Sequence, residues 1–496
     1  MSENEKENHI DRRNFLKLGA IGALAGVADV TGRPLITNAS ETAERGALPF
    51  LVKEHDEFPV EVRDDYRPPR NVDLIFGHAF FGRILKAGGM EVDEEIIEVG
   101  DRFLEKFNYH FDNERRGYNQ VAKALGGGAW ALSNTGVGPS PGAISDFGLF
   151  NWRQGEDKNP IALMDLDFVN ENQYQFETKA EAAQAIKRAA RLYGADLVGI
   201  TPRDTRWDYA AFFNPVPPDV RGVIAPPTPE MMPHIGDMMD AYFASGESLH
   251  GWEKFPFEPK TVIVVAFEMD YDALSTSPSE VAAAGVAEGY SRMAKTAYQL
   301  SVFIKQLGYH AVPAGNDTGL SIPYGIAAGL GEASRAGLLI TPKYGPRVRL
   351  AKVYTDLDFV EYDKPITFGV TDFCKRCKRC ADSCPSGAIP FDDEPSFEPT
   401  HENKDNAYFN AAGTKKWYVD CRKCFQFWEE NGVDCANCVA SCPYNKPDFW
   451  HHRLVNQITR GAGGFVHTIM KELDESFGYG NTFDEEAVDR FWESEA

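Results

Sequence analysis

The run Thr261-Val262-Ile263-Val264-Val265-Ala266-Phe267 decides the fold, because after its first residue it is apolar at every position and never alternates. A strand with no polar face is covered on both sides, so this one belongs inside a sheet packed between other layers. Downstream, a helical pattern runs from about Glu280 to Leu307 and a short strand lies around Tyr309 to Val312. A helix from Ile322 to Ala333 and a strand from Gly337 to Thr341 follow. Upstream, Thr178 and Glu181 form a capping box, Ala182, Ile186, Ala189, Ala190 and Tyr193 recur at helical spacing, and Gly194 stops the helix. Ala195 to Ile200 reads as a second buried strand. The alternation predicts an α/β (α+β) domain.

The chain has 496 residues, room for two or three domains, and its 43% hydrophobic and 25% charged content is that of an ordinary globular protein. A net charge of −23 repels nucleic acid phosphates, so no nucleic acid partner is expected. No apolar stretch reaches the roughly 20 residues that cross a bilayer, so the chain is expected to be peripheral at most. The expected divisions are a leader over 1–39, an N-terminal region over 40–175, and the α/β domain over 176–365. An irregular Pro-, Gly- and aromatic-rich insertion interrupts that domain at about 204–257. A cysteine module over 366–450 and a tail over 451–496 complete the chain.

All nine cysteines lie between Cys374 and Cys442. A disulfide-stapled protein spreads its cysteines through the fold, so this clustering points to metal. Cys374, Cys377, Cys380 and Cys384-Pro385 keep the C-x2-C-x2-C-x3-C-P spacing of bacterial ferredoxins, in which the fourth thiolate serves a second cluster. Cys424, Cys435, Cys438 and Cys442-Pro443 form a stretched variant. The crossed rule assigns Cys374, Cys377, Cys380 and Cys442 to one [4Fe-4S] cluster, and Cys384, Cys424, Cys435 and Cys438 to another. Cys421 is left over and is an alternative to Cys424. Paired zinc sites are the competing reading, but zinc needs neither the evenly spaced thiolates nor the Cys-Pro endings.

Near the start, Asp11-Arg12-Arg13-Asn14-Phe15-Leu16-Lys17 precedes a mildly apolar Gly/Ala-rich run from Leu18 to Val30. Paired arginines before a short, weak apolar segment look like a twin-arginine export signal, with Ala39 at its expected end. That route carries folded proteins, which suits metal centres inserted before export.

The combination resembles the respiratory corrinoid/iron-sulfur reductive dehalogenases, at the level of their catalytic subunit. The resemblance rests on the twin-arginine signal, the α/β core, the Phe368-Gly369-Val370-Thr371-Asp372-Phe373-Cys374 lead, the stretched second motif and Phe477-Gly478-Tyr479-Gly480. It implies a nitroreductase-like, cobalamin-binding core ahead of a ferredoxin-like module with two [4Fe-4S] clusters. In Tyr290-Ser291-Arg292-Met293, Tyr290 resembles the family's proton-donating tyrosine. Arg349 resembles the arginine that stabilises its phenolate, and Asn316 a polar residue facing substrate. A tyrosine's reference pKa near 10 keeps it protonated and able to donate, and a fixed arginine offsets the charge left behind. Trp130 and Trp428 resemble aromatics that wall the substrate pocket.

The implied activity is reductive removal of halide from a small chlorinated alkane or alkene in anaerobic organohalide respiration. Two electrons from a respiratory donor would arrive singly through the clusters and bring the corrinoid cobalt to Co(I). The Tyr309-His310-Ala311-Val312-Pro313 and Pro447-Asp448-Phe449-Trp450-His451-His452 stretches favour that substrate class. A small membrane-anchor protein is the implied partner, at the outer face of the cytoplasmic membrane. Two other readings compete: an electron-transfer subunit of a membrane oxidoreductase, and an epoxyqueuosine reductase-like enzyme acting on tRNA.

Overall fold

The computed structural model describes residues 52–87, 89–134, 173–210, 212–213, 252–253, 255, 257–316, 318–405, 408–446 and 480–494. The expected signal, most of the insertion at 204–257, the Pro447–His452 stretch and most of the tail, including Phe477 to Tyr479, lie outside them. Three helices come first: α1 (Ile75–Ala87), α2 (Glu94–Tyr109) and α3 (Gln120–Ala129). Asp93 starts α2 by accepting from the Ile96 backbone, with Glu94 and Glu95 in the first turn, where the helix dipole favours anions. Helix α4 (Lys179–Leu192) starts at Thr178, whose hydroxyl accepts from the Glu181 backbone at 3.1 Å. The Glu181 carboxylate reaches back to the Glu177 backbone at 2.9 Å, one residue earlier than a capping box would place it.

Strand β1 (Leu197–Pro202) leads to β2 (Thr261–Glu268), the long helix α5 (Glu280–Gln306) and β3 (Ala311–Ala314). Helix α6 (Ser321–Ala327), a small hairpin of β4 (Glu332–Ala333) and β5 (Leu339–Ile340), and strand β6 (Val348–Thr355) follow. The main sheet has the order β1-β2-β6-β3 with every neighbouring pair antiparallel, so the expected α/β domain takes the α+β form. Past the sheet lie α7 (Val370–Cys377) and α8 (Cys421–Asn431).

The two faces of β2 explain its unbroken apolar run. Ile263, Val265 and Phe267 pack with Ile186 and Ala190 of α4 and Met293, Ala297, Leu300 and Ile304 of α5. Val262, Val264 and Ala266 point the other way, to Tyr324, Ile326, Leu339, Leu350 and Tyr354. A period of two with both sides covered leaves no position for a polar residue, and each such buried side chain contributes about 1.5–3 kcal/mol.

Four expectations shift in the structure. The strand expected at Ala195–Ile200 runs instead from Leu197 to Pro202, and the one around Tyr309–Val312 covers Ala311–Ala314. The expected strand Gly337–Thr341 shrinks to Leu339–Ile340. The helix expected over Ile322–Ala333 stops at Ala327: Gly329 has φ +69°, and Gly331 packs against the Ile340 carbonyl with no room for a Cβ. Strand β6 went unread because Arg349 and Lys352 interrupt its apolar residues. Among the described residues no helix is long and apolar enough to cross a membrane.

Candidate active site and cluster module

Tyr290 sits half-buried on α5, whose Ser279 cap accepts from the Ala282 backbone and fixes the helix start. Its hydroxyl accepts from Asn316 Nδ2 at 3.2 Å and from Arg349 Nη1 at 3.4 Å. The Arg349 guanidinium also lies over the tyrosine ring, 4.6 Å from its centroid, and the Trp130 ring stacks on it at 5.0 Å. Residues predicted from four separate parts of the chain thus meet around one phenol.

Each is held from behind. In the sheet register Arg349 stands opposite Phe267, on the face of β6 shared by Ala351 and Val353, which turns it toward α5. Gly289, one residue before Tyr290, opens the space: a Cβ there would lie 2.7 Å from Arg349 Cγ. Asn316 is held on both of its ends. Ser321 Oγ donates to its Oδ1 at 3.2 Å, and the Tyr209 hydroxyl donates to its carbonyl at 2.8 Å. Lys352, fully buried, donates to Ser321 Oγ at 2.7 Å and to the Gly315 carbonyl. Sequence reasoning missed Gly289, Ser321 and Lys352, although a lysine inside a strand pattern and a glycine beside the tyrosine were visible signals.

Trp428 lies elsewhere. It packs on α8 with Phe425, Phe103 and Phe76 at centroid distances of 5.7–6.2 Å, and no described contact joins it to Tyr290.

Cys374, Cys377, Cys380 and Cys442, the first expected set, line one cavity together with Cys438 of the second. Burial, then the charges of Cys374, Cys442, Cys438 and Cys377, push Cys380 well above the ordinary thiol range. In the second set, burial and then Cys438, Cys421, Cys435 and Cys384 do the same to Cys424. Cys435 is pushed up to about 12, chiefly by burial, with Cys438, Asp434 and Cys384 adding to it. Cys421 differs: burial raises it, but its charged neighbours are Lys416 and Asp420. Cys424 thus has the other thiols of the second set and Cys421 around it, whereas Cys421 meets the charges of Lys416 and Asp420. Crowded, buried thiols are costly as free groups and suit iron, which binds them deprotonated. Among the described residues no three His, Cys, Asp or Glu side chains gather tightly enough for a single metal ion.

The two halves meet. Tyr290 and Cys438 pack against the same apolar group of Met269, Leu274, Val286, Ala436 and Val439, so the second thiol set adjoins the phenol. Arg349 Nε is buried without a hydrogen-bond partner, a donor available to a further polar group at this site.

Residues 373–446 match the 4Fe-4S dicluster domain family. Along the whole chain, a tetrachloroethene reductive dehalogenase of Dehalobacter restrictus is 35% identical, covering 95% of this chain and 94% of that protein. One from Sulfurospirillum multivorans is 30% identical over 96% of this chain and 92% of its own length. A solved reductive dehalogenase, described in terms of B12-dependent dehalogenation, shares the fold with a TM-score of 0.59 at 20% identity. It aligns with 93% of this chain, which spans 53% of that longer one. The convergent phenol, the two thiol sets and full-length relatives agree, and the chain belongs to the reductive dehalogenase family.

Proposed function

We propose that this reductive dehalogenase replaces halogen by hydrogen in a small chlorinated alkane or alkene, with Tyr290 as proton donor. The observation that carries the reading is the Tyr290 hydroxyl receiving hydrogen bonds from both Arg349 and Asn316 next to a cluster thiol. The tetrachloroethene specificity of the full-length relatives supports the substrate class. The balance is one carbon–halogen bond broken, two electrons and one proton taken up, one carbon–hydrogen bond formed and halide released. A bound corrinoid supplies, as Co(I), the reducing electrons for that cleavage. The orphaned Arg349 Nε and the half-buried phenol suit such a polar-rimmed cofactor.

The chain's own residues do the rest. Tyr290 delivers its hydroxyl proton to the carbon that loses halide, and the phenolate so formed is stabilised by the Arg349 guanidinium, which keeps its own proton. Asn316, fixed by Ser321 and Tyr209, orients the phenol and faces substrate. Trp130 walls the ring and excludes water. Cys374, Cys377, Cys380 and Cys442 would hold one cluster, and Cys384, Cys424, Cys435 and Cys438 the one nearer the phenol; together the clusters would supply single electrons to the site. The Arg12-Arg13 segment supports export by the twin-arginine route, and docking on a small membrane-anchor protein would place the enzyme at the outer membrane face.

Anaerobic reconstitution with corrinoid, followed by halide release from a panel of chlorinated ethanes, ethenes and methanes with reduced viologen, tests this. Tyr290→Phe should lose about 100-fold to 10,000-fold in rate with both clusters intact. Unchanged halide release by that variant would remove Tyr290 from the mechanism.

A further inference from the structure

Arg335 follows β4 in the small hairpin and is fully buried. Arg335 lines the cavity of the first thiol set, together with Cys374, Cys377, Cys380 and Cys442. Nε and Nη2 donate to the Cys374 carbonyl at 3.1 and 2.8 Å, and Nη1 donates to the carbonyls of Pro390 and Asp392, each at 2.7 Å. The Trp417 ring closes the remaining side, 4.7 Å from Arg335 Cζ. Every acceptor among the described residues is a neutral carbonyl. The carboxylate nearest in sequence, Glu332, is turned away, accepting from the Phe368 and Val370 backbones at the start of α7.

A buried cation costs several kcal/mol unless an opposite charge lies close. Carbonyl dipoles satisfy the N–H groups of Arg335 but do not cancel its charge. Asp393, a carboxylate that feels its charge, is exposed and paired with Lys378. The thiol set whose cavity Arg335 lines would carry a cubane with four thiolates, negative in both redox states and gaining a further negative charge on taking up an electron. A fixed cation at that distance stabilises the reduced state more than the oxidised one.

We propose that Arg335 is the built-in counter-charge of the cluster held by Cys374, Cys377, Cys380 and Cys442 and raises its reduction potential, leaving the cluster nearer Tyr290 unaffected. The inference rests on the ligand sets given above. Arg335 is a positioning and tuning residue: it holds α7 through the Cys374 carbonyl and makes the entry cluster easier to reduce by a low-potential one-electron donor. Glu332 and Arg335, three residues apart, thus tie the α+β core to both the start and the first ligand of the cluster motif.

The test is a dye-mediated redox titration of the iron-loaded protein, followed by electron paramagnetic resonance, on wild type, Arg335→Gln and Arg335→Lys. Iron content and the two cluster signals of wild type are measured first, with Cys442→Ser to identify the first cluster's signal. Arg335→Gln should make that one cluster about tenfold harder to reduce, about 59 mV for a one-electron couple, and leave the other in place. Arg335→Lys, which keeps the charge but not the fork, should stay close to wild type. Unchanged potentials in a fully iron-loaded Gln variant overturn the proposal, as does an equal fall in the Gln and Lys variants. If the Gln variant loses its iron, the Lys variant decides: a wild-type potential supports the counter-charge and a tenfold loss overturns it. A Cys442→Ser protein that keeps both signals refutes the ligand sets themselves, whatever Arg335 does.

Discussion

In the sheet, β2 buries all of its residues but the last, and long helices cover it on one side. In the cluster module the helices run only four to eleven residues, and thiols such as Cys380 and Cys424 are crowded and held well above the ordinary thiol range by burial and by one another. The first region has enough apolar surface to hold itself together, whereas the second is organised around what its cysteines bind. Metal loading and core packing should therefore be separable, and three perturbations probe how cleanly.

The largest effect is expected at the second thiol set. Cys424→Ser should lose close to half of the iron and one cluster signal, while Cys421→Ser keeps both, as read by iron analysis and electron paramagnetic resonance. The reverse result would exchange the two ligands. Next, Phe267→Ala removes a side chain buried between β2 and α5 and should cost about 3–5 kcal/mol in denaturant unfolding of the core. If iron content falls in parallel with core stability, the two regions are one cooperative unit and the contrast fails.

The smallest effect concerns His78, which is 2% exposed and accepts from the Asp93 backbone at 2.9 Å, joining α1 to the cap of α2. Burial, opposed by Asp93 and Asp73, holds its imidazole below the usual value of 6.5. The unfolded chain therefore binds a proton at a pH where the folded chain does not. Stability is fully present above about pH 6.5 and falls as pH drops through that value toward the folded one. Replacing it by Gln should flatten the difference in melting temperature between about pH 7.5 and pH 5.5.

Much of this was legible in the sequence, and the gaps have physical causes. Cysteine spacing is dictated by cubane geometry, so two ligand sets could be proposed before any coordinates, with Cys421 left as an alternative to Cys424. That ambiguity turned on the neighbours of one thiol, Lys416 and Asp420, which spacing does not encode. The apolar run of β2 announced itself, but β6 did not, since half-buried Arg349 and buried Lys352 make it read as a half-exposed segment. Tyr290, Arg349 and Asn316 were found by resemblance, because a phenol on a helix has no pattern of its own. Trp428 drew attention as an aromatic near a cysteine and proves to pack with Phe76, Phe103 and Phe425.

Strand β6 sends Arg349 toward the α5 face and Lys352 toward the other, in a register where Ala351 and Val353 fill the core between the helices. A slip of one residue would exchange the two faces, burying each cation in the wrong layer and expelling the core residues at the same moment. Mispaired chains would thus fail as folds and as enzymes together, which removes half-active impostors from the population. The turn at Asn316, just beyond β3, is under no such double obligation, so the sequence around it can vary while the strand stays intact.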